Sequence, residues 1–290
     1  MTHTTHTQSS IRILLACPDA KGVIAAVTQF IAERQGNIID LDQHADQSAR
    51  LFVMRIEIEP NTLATTPADF ERDFQSLEQR FALTTTYDWG RSQKSLVIFA
   101  SKEDHCLSDL LWRANNNELP AKILAVIANH QTFAPLAASA NVPFHHIPIS
   151  PDTKHQAESQ AQSLLNQLNP DLIVLARYMQ ILSPDFIAQC PQQIINIHHS
   201  FLPAFPGARP YHRAHERGVK LIGATAHYVT NELDEGPIIA QNTAPVTHRD
   251  NIDALKRIGR DLERITLAQA VRLHLGDRVL TVANRTVVFH

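Results

Sequence analysis

From Ser95 onward the chain alternates strand-sized apolar runs with segments of helical periodicity, and this alternation leaves few folds open. Ser95–Ala100, Ala121–Ala128, Pro143–Pro148 and Leu172–Ala176 read as strands. A helix near Asp104–Arg113 separates the first two. Lys154–Leu168 places Ala157, Ala161, Leu164, Leu165 and Leu168 on one helical face, with Thr153 and Gln156 spaced as a capping box. Ile194–His198 and Lys220–Val229 add further strands, and Leu255, Ile258, Leu262 and Ile265 mark a long amphipathic closing helix. Strands that alternate with helices pack as a doubly wound, mostly parallel α/β sheet of Rossmann-like type. Such sheets often cradle a phosphate on a glycine-rich loop, but this chain has only nine glycines and neither a G-x-G-x-x-G nor a Walker A sequence. A dinucleotide or nucleoside triphosphate site is therefore not expected.

The chain before this region follows a different rule. Ile11–Ala16 is a short apolar strand, and Pro18-Asp19-Ala20-Lys21-Gly22 is a turn. Val23, Ala26, Val27, Phe30 and Ile31 then recur at helical spacing, with Gly36 placed as a C-cap. Asn37–His44 and Leu51–Glu59 read as strands; in the second, Phe52, Met54, Ile56 and Ile58 alternate with Leu51, Val53, Arg55 and Glu57, a half-buried pattern. Phe70, Phe74, Leu77 and Phe81 share one face of a second helix, and Thr84–Trp89 closes the set. The order βαββαβ is a ferredoxin-like unit. We expect a disordered lead-in over 1–10, this unit over 11–90, a boundary within Gly90–Lys94, and the larger domain over 95–290.

Composition narrows the functional classes. Apolar residues make up 44% and charged residues 19%, as in an ordinary globular protein, and the net charge of −3 with no basic cluster gives no reason to expect nucleic acid or a membrane surface as partner. No apolar run is long enough for a membrane span, and the polar N-terminus lacks the pattern of a signal peptide. Cys17, Cys106 and Cys190 are odd in number and without metal-ligand spacing, which fits a reducing, cytoplasmic setting.

Two segments carry the chemistry. In Asn196-Ile197-His198-His199-Ser200-Phe201-Leu202-Pro203, Asn196 and His198 stand two apart at the carboxyl end of a strand, so both face one side, where open α/β sheets bind ligands. Asp234 follows Asn196 by 38 residues, within Asn231-Glu232-Leu233-Asp234-Glu235-Gly236-Pro237, an acidic loop between two apolar segments.

Together these motifs resemble the formyltetrahydrofolate-dependent formyltransferase family, which pairs an Asn-x-His-x-Ser-x-Leu-Pro strand end with a Leu-Asp-x-Gly-Pro loop at this distance. The resemblance implies that Asn196, His198 and Asp234 form the catalytic trio. It implies a folate site built from Met179, Gln180, Ile181 and Leu182 on one side, where relatives often carry Arg at the place of Gln180, and from Thr230, Asn231, Glu232 and Leu233 on the other. The chemistry suits these residue types. Attack on a formamide carbonyl creates an oxyanion, which the amide of Asn196 and the ring of His198 can receive, while Asp234 can take a proton and tune the imidazole.

The acceptor is read from what is missing. Where the ribonucleotide-formylating relatives hold a phosphate, this chain has Ser101, Lys102, Glu103 and Asp104, and two carboxylates oppose an anionic substrate there. Nor does it carry the basic surface and β-rich module of the relatives that formylate tRNA. The N-terminal unit resembles an ACT regulatory domain, with Asp19 and Gly22 in the effector turn. The expected function is thus the hydrolytic one: formyltetrahydrofolate and water give formate and tetrahydrofolate, balancing the one-carbon folates that serve purine synthesis. No cofactor is expected, a small amino acid is the expected effector, and a homo-oligomer the expected assembly. A transferase acting on a small amine and a non-catalytic folate or amino-acid sensor are the alternatives.

Four further residues are candidates for support. His199 stands where transferases commonly have Pro, Ser200 follows it, and His227 matches a family position near the catalytic Asp. His105 precedes Cys106, and adjacent residues of a helix diverge by about 100°, too far to form a dyad. No metal site is expected, because His198 and His199 point to opposite sides of a strand.

Overall fold

A computed structural model describes residues 10–90, 93–190, 193–203 and 210–290, so 1–9 of the expected lead-in lie outside the described residues. The chain forms two compact units, each with its own sheet.

The first unit contains β1 (Ile11–Pro18), α1 (Val23–Glu33), β2 (Ile38–Asp46), β3 (Leu51–Ile58), α2 (Pro67–Phe81) and β4 (Thr84–Asp88). The strands order β2-β3-β1-β4, every neighbouring pair antiparallel. Helical spacing puts Val23, Val27, Phe30 and Ile31 of α1 and Phe70 and Phe74 of α2 against Ile13 and Leu15 of β1. Phe30 meets Phe70 and Phe74 of α2 edge-on, with ring centres 5.1 Å apart in each pair. Thr66 caps α2 by accepting from the Asp69 backbone N–H, and Pro67 opens its first turn. The left-handed residue that ends α1 is Gln35 (φ 63°), so Gly36 is not its cap.

One expectation for this unit is corrected. β3 is buried on both faces, because Asp277–Val282 and Val287–His290 belong to this unit rather than to a domain running unbroken from 95 to 290. Leu280, Val282, Val287 and Phe289 pack with Leu14 and Val53 on the sheet face away from the helices. Leu280, Val282 and Val287 come from β12 (Val279–Val282) and β13 (Arg285–Val288), two strands absent from the sequence reading, and Phe289 follows β13 directly. Arg55 is 1% exposed under this cover. Its guanidinium is held by Asp40 at 2.9 Å, Glu57 at 2.7 Å and the Asp277 carbonyl at 3.0 Å, the pairing that lets a charge be buried.

The second unit runs from Lys94 to Gly276 with Ala283–Thr286. Its elements are β5 (Lys94–Ala100), α3 (His105–Asn115), β6 (Ala121–Ala128), α4 (Ala134–Ser139), β7 (Phe144–His146), α5 (Lys154–Leu168), β8 (Leu172–Ala176), α6 (Pro184–Ala188), β9 (Gln193–His198), α7 (Pro210–Arg217), β10 (Leu221–Tyr228), β11 (Ile238–Pro245) and α8 (Ile252–Leu275). The sheet orders β11-β10-β9-β8-β5-β6-β7; it is parallel from β9 to β7, and β10 and β11 add antiparallel. The sheet is doubly wound and mostly parallel, as the alternation predicts. The short helices α4, α6 and α7 and the strand β11 are additions to that reading. Thr153 does not cap α5 through its side chain; its hydroxyl accepts from the Ser150 N–H at 2.9 Å. The strand order reverses at β5, with β6 and β7 added on one side and β8 and β9 on the other, which makes the carboxyl ends of β5 and β8 a switch point and opens a crevice there. Among the described residues, no helix is long and apolar enough to cross a membrane.

Helix α8 lies on β9, β10 and β11. Near its end the His274 ring meets the Tyr228 hydroxyl at 2.9 Å, and burial followed by the nearby Lys94 charge lowers its pKa to about 4. In the unfolded chain it titrates near ~6.5. Between those values the unfolded state binds the extra proton, so acidification removes stability across that window. The melting temperature should therefore fall between pH 7 and 5, and His274→Gln should flatten part of that slope. An identical slope in the variant would contradict this.

Candidate active site

Two loops and one strand end build the site. β9 delivers Asn196 and His198 on one side of the sheet, and its antiparallel partner β10 sets His227 opposite Asn196. Beyond β10 the chain loops through Thr230–Gly236 before β11 begins. This loop is closed by the Tyr228 N–H donating to the Pro237 carbonyl at 2.9 Å and the Val229 N–H donating to Ile194 at 2.8 Å. Gly236 makes the closure available: a Cβ there would lie 1.8 Å from the Tyr228 carbonyl oxygen. Asn284 adds a side-chain hydrogen bond to the Glu235 carbonyl at 2.9 Å.

The result is a hydrogen bond of 3.2 Å between His198 Nδ1 and Asp234 Oδ2. Asp234 Oδ1 lies 3.7 Å from His227 Nε2, which in turn is 3.3 Å from Asn196 Nδ2. His227 is fixed from its other nitrogen, which donates to the Tyr228 carbonyl at 2.9 Å. The hydrogen bond from His198, with the His227 ring also close by, holds the Asp234 carboxyl well below the usual carboxylate range, so it stays ionised. An ionised carboxylate only accepts, which places a proton on His198 Nδ1. His198 Nε2 is buried and has no partner among the described residues.

A cavity of about 360 Å³ opens on these groups, within the size range of small-molecule sites. Met179, Gln180, Ile181 and Leu182 line one side; Thr230, Asn231, Glu232 and Leu233 line the other; Asn196, His198, His199, His227 and Asp234 line it between them. The Met179 N–H donates to the buried Ser101 Oγ at 3.0 Å, tying the first loop to the end of β5. Met179, Ile181 and Leu233 leave apolar side chains exposed at the cavity, surface that a flat ligand can cover.

Other predicted residues fall elsewhere. Ser200 is buried and does not line the cavity; its carbonyl accepts from Thr225 Oγ1, which also accepts from the Leu202 N–H and so pins the turn after β9. His105 is also outside the cavity wall, and its Nε2 meets Glu263 of α8 at 2.8 Å. Cys106 is buried and its thiol is pushed well up by burial and then by Glu263, so it is no nucleophile. Asp19 and Gly22 lie in the first unit, at the turn between β1 and α1, where Gly22 is left-handed (φ 90°).

Sequence reasoning missed Arg177, Tyr211 and Glu263. Arg177 follows β8 in the left-handed region (φ 59°), and Asp234 shares that conformation (φ 58°). Arg177 pairs with Glu263 at 3.2 Å and reaches His199 Nδ1 at 2.8 Å. Tyr211 donates its hydroxyl to Glu263 at 2.9 Å. His105, Cys106 and Glu263 lie close enough together to hold a metal ion, an arrangement the sequence did not predict. The carboxylate of Glu263 is already held by His105, Arg177 and Tyr211, and the adjacent guanidinium opposes a cation.

With this geometry in hand, comparison with known proteins is decisive. The formyl transferase family model matches residues 94–271, and the ACT domain model matches 11–66. A formyltetrahydrofolate deformylase of Synechocystis sp. is 50% identical over 277 residues, covering 96% of this chain and 97% of that protein. The Bacillus subtilis protein of the same name is 48% identical over 96% of this chain and 93% of its own length. A crystal structure of the formyltetrahydrofolate deformylase from Pseudomonas syringae superposes with a TM-score of 0.95 at 43% identity, covering 99% of this chain and 96% of that one. The chain belongs to the formyltetrahydrofolate deformylase family. The glycinamide ribonucleotide transformylase of Symbiobacterium toebii, by contrast, covers 68% of this chain at 28% identity with a TM-score of 0.64. Deformylases match both units, whereas that transferase accounts for about two-thirds of the chain.

In this deformylase-family chain, the loop carrying Asp234 depends on the absence of a side chain at 236. Gly236→Ala should force the Tyr228 carbonyl away, costing about 1–3 kcal/mol as overpacking does. It should also separate Asp234 from His198. A variant with unchanged melting temperature and formate release would contradict this role of Gly236.

Proposed function

We propose that this chain hydrolyses formyltetrahydrofolate to formate and tetrahydrofolate in the cytoplasm without a cofactor. The observation that carries this reading is the His198–Asp234 hydrogen bond at 3.2 Å beneath a cavity into which Asn196 also faces. The pterin ring lies between the Met179–Leu182 and Thr230–Leu233 loops, covering the exposed apolar side chains at the cavity rim.

Asp234 is too acidic to hold a proton between steps, so the sequence-based assignment of the base moves to His198. His198 Nε2 takes a proton from water while Asp234 steadies the resulting imidazolium through Nδ1. The water oxygen bonds to the formyl carbon, and the carbonyl electron pair moves to oxygen, where the Asn196 amide donates to it. The carbon–nitrogen bond then breaks, and His198 Nε2 returns its proton to the departing folate nitrogen. The product carries one oxygen and the second proton of the water, and it leaves as formate on releasing that proton to solvent. No covalent intermediate with the protein is needed.

The ACT unit binds a small amino acid at the turn containing Asp19 and Gly22, and the chain works as a homo-oligomer. A sensor without catalysis has no use for Asn196, His198 and Asp234 around one cavity, and an amine acceptor has no observation in its favour.

The test is direct. Full-length protein given formyltetrahydrofolate alone should release formate and tetrahydrofolate in equal amounts. Asp234→Asn should bind folate as before and lose roughly 10²–10⁴-fold in turnover, the usual scale for disabling an acid–base pair. Formate that appears only when an amine is supplied would replace hydrolysis by transfer.

A further inference from the structure

The mechanism uses His198 but leaves its neighbour unexplained. His199 lies just beyond the end of β9, so strand alternation does not send it away from His198 as the sequence suggested: it lines the same cavity, and its ring stacks on that of His198 with centres 5.1 Å apart and planes 28° from parallel. Its Nδ1 lies 2.8 Å from Arg177 Nη1. A guanidinium donates and never accepts, so Nδ1 is the accepting nitrogen and the ring proton sits on Nε2. Burial first, and the Arg177 charge second, lower the His199 pKa to about 4, which keeps the ring neutral near pH 7.

The support for this tautomer is built in depth. Arg177 is held in place by its ion pair with Glu263 at 3.2 Å. Glu263 is 2% exposed and is gripped on its other side by His105 at 2.8 Å and Tyr211 at 2.9 Å. Burial alone would raise the Glu263 pKa, but the hydrogen bond from His105 and the charge of Arg177 outweigh it and keep the carboxylate ionised. Gly259 of α8 makes room for this grip, since a Cβ there would lie 1.9 Å from the Tyr211 hydroxyl. Glycine inside a helix costs ~1 kcal/mol against alanine, and here it admits the tyrosine.

Two stacked rings thus present opposite faces of the same chemistry to one cavity. His198 Nε2 is a buried lone pair without a partner, because its proton is on Nδ1 toward Asp234. His199 Nε2 is an N–H, and no described residue hydrogen-bonds to it. The buried His198 Nε2 needs a donor. A water molecule on the cavity wall can donate to it and accept from the His199 N–H.

We propose that His199 holds and orients the attacking water, donating from Nε2 to the water oxygen while His198 takes the water proton, with Arg177 and Glu263 acting as positioning residues that fix the His199 tautomer. This rests on the hydrolytic reading above and deepens it: the acceptor site is made for a small molecule that both donates and accepts. Accepting the His199 hydrogen bond leaves the water a lone pair for the formyl carbon and aims its proton at His198.

The experiment compares full-length His199→Gln and His199→Met by steady-state formate release. The two side chains have similar length, but only Gln can place an N–H near the position of Nε2. Met should lower kcat by about 100-fold, the scale of losing one aimed donor, and Gln should stay within about tenfold of the parent. KM should stay within about twofold for both, because the donor acts on water rather than on folate. Equal losses in Gln and Met, unchanged kcat in Met, or losses that fall on KM would overturn the proposal and leave His199 a packing residue. Should Met not fold, His199→Phe keeps a stacking ring without a donor and is read against Gln in the same way. A parent chain that releases no formate would instead bring down the hydrolytic reading itself, and the assignment of His199 with it.

Discussion

The hydrogen bond from His198 Nδ1 to Asp234 Oδ2 is the interaction on which the site depends. It joins a strand end to a loop 36 residues later in the chain, counted from 198 to 234, and the antiparallel pairing of β10 on β9 brings the two together. Once Asp234 is ionised against His198, the ring has only one tautomer as a neutral base, with its lone pair on the buried Nε2. The pairing of β10, the close approach allowed by Gly236 and the left-handed turn at Asp234 all serve that one contact. Left-handed residues other than glycine cost of order 1–3 kcal/mol, and Arg177 and Asp234 both carry that strain at the cavity.

A second carboxylate, this one fully buried, complements the first. Asp234 draws the His198 proton to Nδ1, and Glu263, through Arg177, leaves the His199 proton on Nε2. Adjacent residues of one chain thereby acquire opposite roles toward water, one accepting and one donating. The arrangement works because both carboxylates are compensated before any ligand arrives, so neither reorganises during the reaction.

Much of this was legible in the sequence, for identifiable reasons. The spacing Asn196-x-His198 reports a strand face directly, since side chains alternate with period two, and the apolar runs around it report the strand. The cavity loops at Met179–Leu182 and Thr230–Leu233 followed from the same motifs by resemblance. Arg177, Tyr211 and Glu263 were not legible: their partners lie 22 to 158 residues away (177 to 199 and 105 to 263), and no local pattern marks a pairing set by tertiary packing. The same limit hid the C-terminal strands. β3 looked half-exposed because nothing near Leu51–Ile58 announces that Phe289 and its neighbours cover the second face. Periodicity shows that a face is apolar, not what arrives to bury its opposite.

The central claim is that two stacked imidazoles are held in opposite tautomers, and ring-nitrogen NMR of the full-length chain measures this directly. With ¹⁵N-labelled histidine at pH 7, and assignments from spectra of the His198 and His199 substitutions, His198 should show a proton on Nδ1, and His199 should be neutral with its proton on Nε2. A cationic His199, or a proton on its Nδ1, would contradict the account, because the guanidinium of Arg177 could then not be donating to that nitrogen.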